Sequence, residues 1–305
     1  MGENREGRAA ALLPILIFLL IFLGSGFITG DFYSMPAIVA FLIALLAAFV
    51  QNRELGFAEK IKLAAQGVGD ENIITMCLIF LAAGAFTGAV KAAGGVDSTV
   101  NLGLSILPSN VAVAGLFLIG CVISISMGTS VGTITALAPI AVGISQKTGF
   151  SMAVCAGAVV GGAMFGDNLS MISDTTIAAV KTQGCEMKDK FRENFLIVLP
   201  AAIVTILLFL ILGKDASFHI QGSLNYSLLR VVPYMVVLAG ALAGVNVFLV
   251  LMTGTVLSLI AGVATGAFGV GEMFTHVGAG IMGMYDITVI SIIVACIVAL
   301  VREYG

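Results

Sequence analysis

The stretch Gly161-Gly162-Ala163-Met164-Phe165-Gly166-Asp167-Asn168-Leu169-Ser170-Met171-Ile172-Ser173-Asp174-Thr175-Thr176 decides how the rest of the chain is read. From Asp167 onward it packs two carboxylates, an amide, two serines and two threonines into ten residues. The residues ahead of it, Met152 to Phe165, are mostly apolar. Ionisable groups next to sequence of this kind lie at or near membrane depth, where they are costly and mark ion or proton pathways.

Composition points the same way. Of 305 residues 59% are hydrophobic and 10% charged, and the mean hydropathy is +1.13. Soluble domains carry about 25% charge, so that class is excluded and most of the chain must face lipid or other membrane helices. The net charge of −3 comes without a basic block, which argues against nucleic acid as a partner. Cys77, Cys121, Cys155, Cys185 and Cys296 are scattered, and their spacing fits neither a metal cluster nor a disulfide framework. They read as small core residues. The 37 glycines suit close helix packing and broken helices. Arg5 and Arg8 precede an apolar run that continues to Ile28 with no A-x-A cleavage site, so it reads as a retained membrane helix rather than a signal peptide.

Apolar stretches of about twenty residues predict membrane helices over 11–29, 36–50, 73–90, 195–212, 231–245, 247–265 and 282–301. Gly30 to Ser34 reads as a turn that leaves Asp31 solvated. Gln51 to Lys62, with Arg53, Lys60 and Lys62, reads as a polar cytoplasmic loop. Gly94 to Asn110 is weakly apolar and reads as an interfacial or re-entrant piece. Val111 to Ile144 is too long for one simple helix. Its centre, Ser124 to Thr133, holds Gly128, Gly132 and several hydroxyls, including Thr129, Ser130 and Thr133. These residues favour a helix that unwinds locally and turns backbone carbonyls toward a cavity. The pair Gly128 and Gly132 also fits a G-x-x-x-G packing face.

Lys147 and the cluster Lys181, Lys188, Lys190 and Arg192 all read as cytoplasmic. The chain between them must then enter and return. That favours a re-entrant hairpin at Gly166 to Thr176, unwound near Gly166, over a continuous helix with Asp167 and Asp174 two turns apart on nearly one face.

The last part of the chain echoes the first. Leu13-Pro14-Ile15-Leu16 corresponds to Val232-Pro233-Tyr234-Met235, and Ala89-Val90-Lys91-Ala92-Ala93-Gly94 to Leu300-Val301-Arg302-Glu303-Tyr304-Gly305. The basic loop before the first copy's last helix has an uncharged-to-acidic counterpart, Ala267 to Gly280, without lysine or arginine. By the positive-inside rule the two copies are inverted. The expected organisation is a first repeat over 1–213, an external loop over 214–230, and the start of an inverted second repeat over 231–305. That second copy lacks the broken helix and the Asp167–Asp174 stretch, and the expectation is a C-terminally truncated chain.

Gly166-Asp167-Asn168-Leu169-Ser170-Met171-Ile172-Ser173-Asp174-Thr175-Thr176 resembles the G-D-x-x-S-x-x-S-D-T-T signature of NhaC-type sodium/proton antiporters. Gly128-Thr129-Ser130-Val131-Gly132-Thr133 is similar to their G-T-S-x-G-T motif, and Pro233-Tyr234 with Gly244-Val245-Asn246-Val247 to their second-repeat helices. The resemblance implies an all-α polytopic carrier of inverted repeats, with broken helices and a re-entrant hairpin, in the cytoplasmic membrane. It implies exchange of internal sodium for protons, and some relatives exchange malate for lactate with the same ions.

The residues suit that chemistry. Sodium is a hard cation that takes several oxygen ligands, as other hard cations do. Asp167, Asn168, Ser170, Ser173, Asp174, Thr175 and Thr176 supply only oxygen-bearing side chains. Burial raises the pKa of a carboxyl group above the free value of about 3.9, so a buried carboxylate can hold a proton near neutrality and give it up to an arriving cation. The cation and proton role falls to Asp174 first and Asp167 second, with Ser173, Thr175, Thr129, Ser130 and Thr133 completing the shell. Asp174 also fits a loop or helix-capping carboxylate, and Asp286 fits either a second-repeat ligand or a helix cap. His219 and His276 fall in loops read as external. No cofactor is expected beyond the transported ions, the bilayer is the surrounding medium, and a homodimer suits a carrier of this kind.

Two other classes share parts of this pattern. Gly67-Val68-Gly69-Asp70 and Tyr285-Asp286 match the two motifs of intramembrane aspartyl proteases, in which a pair of aspartates shares a proton. Here the motifs stand in the reverse order, and Asp70 adjoins Glu71 in a basic polar loop. Broken helices also build channel filters, but inverted repeats with paired carboxylates favour alternating access.

Overall fold

The computed structural model describes residues 8–31, 34–106, 109–127, 129–170, 173, 176, 185–215, 224–243 and 245–305. Among these residues there are helices and no strand. The helices, in order, are α1 (Leu13–Thr29, entered through a 3-10 turn at Ala9–Leu12), α2 (Ala37–Gln51), α3 (Phe57–Val68), α4 (Glu71–Ala92), α5 (Gly95–Ile106), α6 (Ala112–Met127) and α7 (Ser130–Thr148). They continue with α8 (Met152–Leu169), α9 (Met187–Asp215), α10 (Leu228–Leu242), α11 (Val247–Ala264), α12 (Met273–Met282) and α13 (Tyr285–Tyr304). Six described stretches are long and apolar enough to cross a membrane: Ala9–Thr29, Glu71–Ala92, Met152–Leu169, Lys188–Gly213, Val247–Ala264 and Tyr285–Tyr304. Along α9, Leu196, Ile197, Val204, Leu207, Leu208 and Ile211 are exposed, which suits a helix whose solvent is lipid.

The long apolar run 111–144 is divided, as its glycines and hydroxyls predict. α6 ends at Met127 and α7 starts at Ser130 with Thr129 as its N-cap. Two segments read as loops are helical. Gln51 to Lys62 contains the start of α3, and Ala267 to Gly280 contains a 3-10 turn at Val270–Glu272 followed by most of α12. Each begins with a glycine whose backbone N–H donates to a glutamate three residues on, Gly56 to Glu59 Oε2 and Gly269 to Glu272 Oε2, both at 2.9 Å. This glutamate half of a capping box satisfies the N–H of the N-cap glycine. Both helices mix polar and apolar residues, so neither stands out as an apolar span.

The chain forms two compact units, Met1–Leu81 with Gly283–Gly305, and Ala82–Met282. In the first, α1 packs on α2, and α13 packs on both α2 and α3. The rings of Phe18 and Phe41 stack at 4.0 Å, and Ala40, Ala44 and Ala48 form a buried small-residue face on α2 that lets backbones approach. Lys60 of α3 is buried, and its Nζ donates to the Phe49 carbonyl at 2.6 Å, placing a cation at the carbonyl end of α2. A Cβ on Gly67 would lie 2.7 Å from both Ala295 O and Ala299 Cβ of α13.

In the second unit α6, α7 and α8 pack mutually around a core that includes Val113, Phe117, Leu137, Cys155 and Val159, with α9 beside α6 and α8. α10 and α11 pair, and the ring of Phe86 on α4 meets Tyr234 edge-on at 5.1 Å. α12 meets α4 through glycine: a Cβ on Gly280 would lie 2.1 Å from Gly84 O and 2.8 Å from Gly88 Cα. Arg230 Nε donates to Thr265 Oγ1 at 3.1 Å, and a Cβ on Gly94, where φ is +70°, would lie 3.0 Å from the Arg230 guanidinium. Glycine supplies the left-handed turn that ends α4 there.

Candidate functional site

The site is assembled where three helix ends of the second unit meet. α8 runs antiparallel to α7 from the Gly149 turn, so the last turn of α8 reaches the first turn of α7. α6 crosses α8 closely because glycines face it: a Cβ on Gly162 would lie 2.4 Å from Phe117 O, and one on Gly166 would lie 2.4 Å from Cys121 O. Ser124 Oγ donates to Ala163 O at 2.6 Å across this crossing. The carbonyl ends of α6 and α8 and the N–H end of α7 are therefore brought to one place.

Asp167 sits there in the last turn of α8. Ser130 Oγ donates to its Oδ2 at 3.1 Å. Its Oδ1 is buried and has no hydrogen-bond partner among the described residues. The start of α7 carries the partial positive charge of that helix, which favours a carboxylate here. The unpaired oxygen works against folding, since a buried polar atom without a partner costs free energy. Such an atom calls for a partner that the described side chains do not supply.

The neighbouring polar side chains hold the helix ends in shape. Thr129 Oγ1 accepts from Gly132 N at 3.4 Å, and the Thr129 carbonyl accepts from Thr133 Oγ1 at 2.9 Å. Ser170 Oγ donates to Ile125 O at 3.0 Å, tying the end of α8 to α6. Asn168 turns its side chain back to Met164 O at 2.9 Å. Ser170, Ser173, Thr133 and Thr176 are buried.

Asp167, Asn168, Ser170, Thr176, Thr129, Ser130 and Thr133 thus belong to this junction or its supports, while Asp174, Thr175 and Gly128 lie outside the described residues. Two expected breaks are not breaks: Gly132 is in the first turn of α7 and Gly166 in the last turn of α8. Both are there for close packing, since a Cβ on Gly132 would lie 2.8 Å from Thr129 Cγ2 and 2.9 Å from Val247 Cγ1. The unwinding expected near Gly166 begins at Ser170 instead, because Gly166 O and Asp167 O still accept from Ser170 N at 2.8 and 3.2 Å.

Lys190 is a member of the site that its sequence position hid. It stands in the first turn of α9, where its Nζ donates to the backbone carbonyl of Asn168 and, at 2.9 Å, to Thr176 Oγ1. Its charge also interacts with that of Asp167. Asn194 Nδ2 approaches the same Asn168 carbonyl at 3.5 Å. In the sequence Lys190 belongs to a basic cluster, a pattern that reads as a marker of membrane sidedness.

The other singled-out residues lie elsewhere. Asp70 is exposed and accepts from Asn72 N at 2.9 Å, as a cap for α4. Asp286 is exposed in the first turn of α13, and Asp31 is exposed. His276 lies on α12, not in a loop, with its ring 4.9 Å from that of Phe268. His219 lies outside the described residues.

A chain whose described residues form helices and no strand, with membrane-length spans, an interrupted helix and a half-buried carboxylate beside the interruption, is a multi-pass membrane protein of the transporter class. The profile of the Na+/H+ antiporter family matches residues 8–214, and the chain belongs to that family. It is 27% identical over 209 residues to a malate-2H(+)/Na(+)-lactate antiporter of Bacillus subtilis, covering 68% of this chain and 45% of that protein. It is 28% identical over 217 residues to the Na(+)/H(+) antiporter NhaC of Alkalihalophilus pseudofirmus, covering 70% and 46%. Over 151 residues it is 31% identical to the Na(+)/H(+) antiporter NhaC of Bacillus subtilis, covering 49% and 32%. The matched part is therefore about half, or less, of each relative's length.

Proposed function

We propose that this protein exchanges sodium for protons across the cytoplasmic membrane, with Asp167 binding the two cations alternately. The observation that carries the reading is the buried, unpaired Oδ1 of Asp167, held beside Ser130 at the meeting of α6, α7 and α8. A proton or a sodium ion would satisfy that oxygen, and both cannot do so together. Ser130 Oγ, Thr176 Oγ1 and the Asn168 carbonyl are further oxygens for the cation, and Asp174 and Thr175 belong to the same proposed shell. Competition for one carboxylate becomes exchange when the carrier changes its facing only with a cation bound.

The proposal includes an inverted repeat over 1–213 and 231–305, joined by the external loop 214–230. Supporting it, the glycine–glutamate cap recurs at Gly56 and Gly269, and the glycine contact recurs at Gly67 with Ala295 and Ala299 and at Gly280 with Gly84 and Gly88. A second reading, sodium- and proton-coupled exchange of organic acids, is favoured by the likeness to the malate-2H(+)/Na(+)-lactate antiporter.

The test is reconstitution of the full-length protein in liposomes with an internal pH dye, offering sodium, lithium, potassium, malate and lactate in turn. Sodium alone driving proton movement is the expected result. Proton movement only when malate and lactate are both present would select the second reading, and none under any condition would contradict both.

A further inference from the structure

We propose that the Lys190 ammonium is a tethered cation: it occupies the Asn168 and Thr176 oxygens beside Asp167 when the site is empty, and sodium displaces it. This rests on the reading of Asp167 as the cation ligand and adds a competitor built into the chain itself.

Three observations carry it. First, Lys190 Nζ donates to the Asn168 carbonyl and to Thr176 Oγ1, two oxygens that would otherwise be open to an incoming cation. Second, its charge acts on Asp167 without replacing the missing partner of Asp167 Oδ1. Third, Lys190 lies in the first turn of α9, at the positive end of its own helix, where a cation is disfavoured. The carbonyl end of α8 supplies the oxygens that receive it there.

An ammonium and a sodium ion carry the same charge and seek the same oxygen ligands, so their occupancies exclude each other. The four-carbon stem of lysine gives the ammonium room to withdraw, and Asn194 remains beside the Asn168 carbonyl when it does. With Lys190 seated, the end of α8 is tied to the start of α9, which holds the empty carrier in one facing and limits slippage without cargo.

The experiment measures binding of radioactive sodium to the purified full-length protein in mildly alkaline buffer, where proton competition is smallest. Wild type is compared with Lys190→Met, Lys190→Gln, Lys190→Arg and Asp167→Asn. The Met and Gln variants are expected to bind sodium roughly tenfold more tightly, a coupling of ordinary size between neighbouring sites, and Arg is expected to stay close to wild type. The Gln variant keeps a donor for Asn168 and Thr176 without the charge, which guards against a fold lost for want of a hydrogen bond. Unchanged or weaker sodium binding in a folded Met or Gln variant overturns the inference, as does loss of folding in both. Failure of the underlying reading looks different: wild type and Asp167→Asn would then bind sodium equally.

Discussion

Ser130 Oγ donates a hydrogen bond to Asp167 Oδ2 at 3.1 Å, joining the first residue of α7 to the last turn of α8. The bond engages one carboxylate oxygen, while the other is buried and unpaired among the described residues; in the proposed function it is the oxygen that takes the cation. The contact orients the carboxylate that the proposed exchange depends on, and the expected behaviour of the protein follows from it.

Removing the hydroxyl should loosen the carboxylate without removing it. Hydrogen bonds to charged groups contribute about 1.5–3 kcal/mol. Ser130→Ala is therefore expected to raise the sodium concentration for half-maximal exchange about tenfold or more, while Ser130→Thr stays near wild type. The sodium dependence of exchange in everted vesicles checks this, and an unchanged half-saturation in Ser130→Ala would count against the contact.

Competition between proton and sodium at one carboxylate has a definite sign. Lowering pH fills the site with protons, so half-saturating sodium should rise as pH falls, by up to about tenfold per pH unit once protons predominate. It should become independent of pH on the alkaline side. Sodium titrations of exchange at a series of pH values would show it, and a sodium affinity constant across the series would exclude a shared site.

The α6–α8 crossing sets the position of Asp167, so its glycines should tolerate no side chain. At Gly162 a Cβ would lie 2.4 Å from a backbone oxygen, Phe117 O, which cannot rotate away. Overpacking of this kind costs about 1–3 kcal/mol. Gly162→Ala is expected to lower the melting temperature in detergent and to reduce exchange, whereas Gly157→Ala, where nothing lies within 4 Å, should do neither.

The paired glycine contacts make a similar forecast at two distant positions. Gly67→Ala and Gly280→Ala should each destabilise the protein by about 1–3 kcal/mol, since a Cβ would lie 2.7 Å from Ala295 O in one case and 2.1 Å from Gly84 O in the other. Thermal melts of the two variants compare them directly. A neutral effect at either position would separate the two contacts and weaken the repeat.

Much of this was legible in the residues because the membrane simplifies the code. Spans such as 73–90 and 247–265 differ from the observed Glu71–Ala92 and Val247–Ala264 by a residue or two, since lipid demands continuous apolar sequence. Asp167 and Ser130 stood out as polar residues in apolar surroundings. α3 and α12 did not, because their composition is mixed, although the G-x-x-E caps at Gly56 and Gly269 were available as a signal. Gly132 and Gly166 read as breaks because glycine disfavours helix, but the tight neighbours at both positions override that preference. Lys190 was invisible for a different reason: its partners, Asn168 and Thr176, are 22 and 14 residues away in the chain, and no local pattern encodes that meeting.

The most direct measurement replaces the carboxylate itself. Everted membrane vesicles carrying the full-length protein are energised, sodium is added, and a pH dye reports proton movement for wild type and Asp167→Asn, with correct membrane insertion of the variant verified. The account predicts that sodium moves protons in wild type and not in Asp167→Asn. Undiminished sodium-driven proton movement in Asp167→Asn would contradict it.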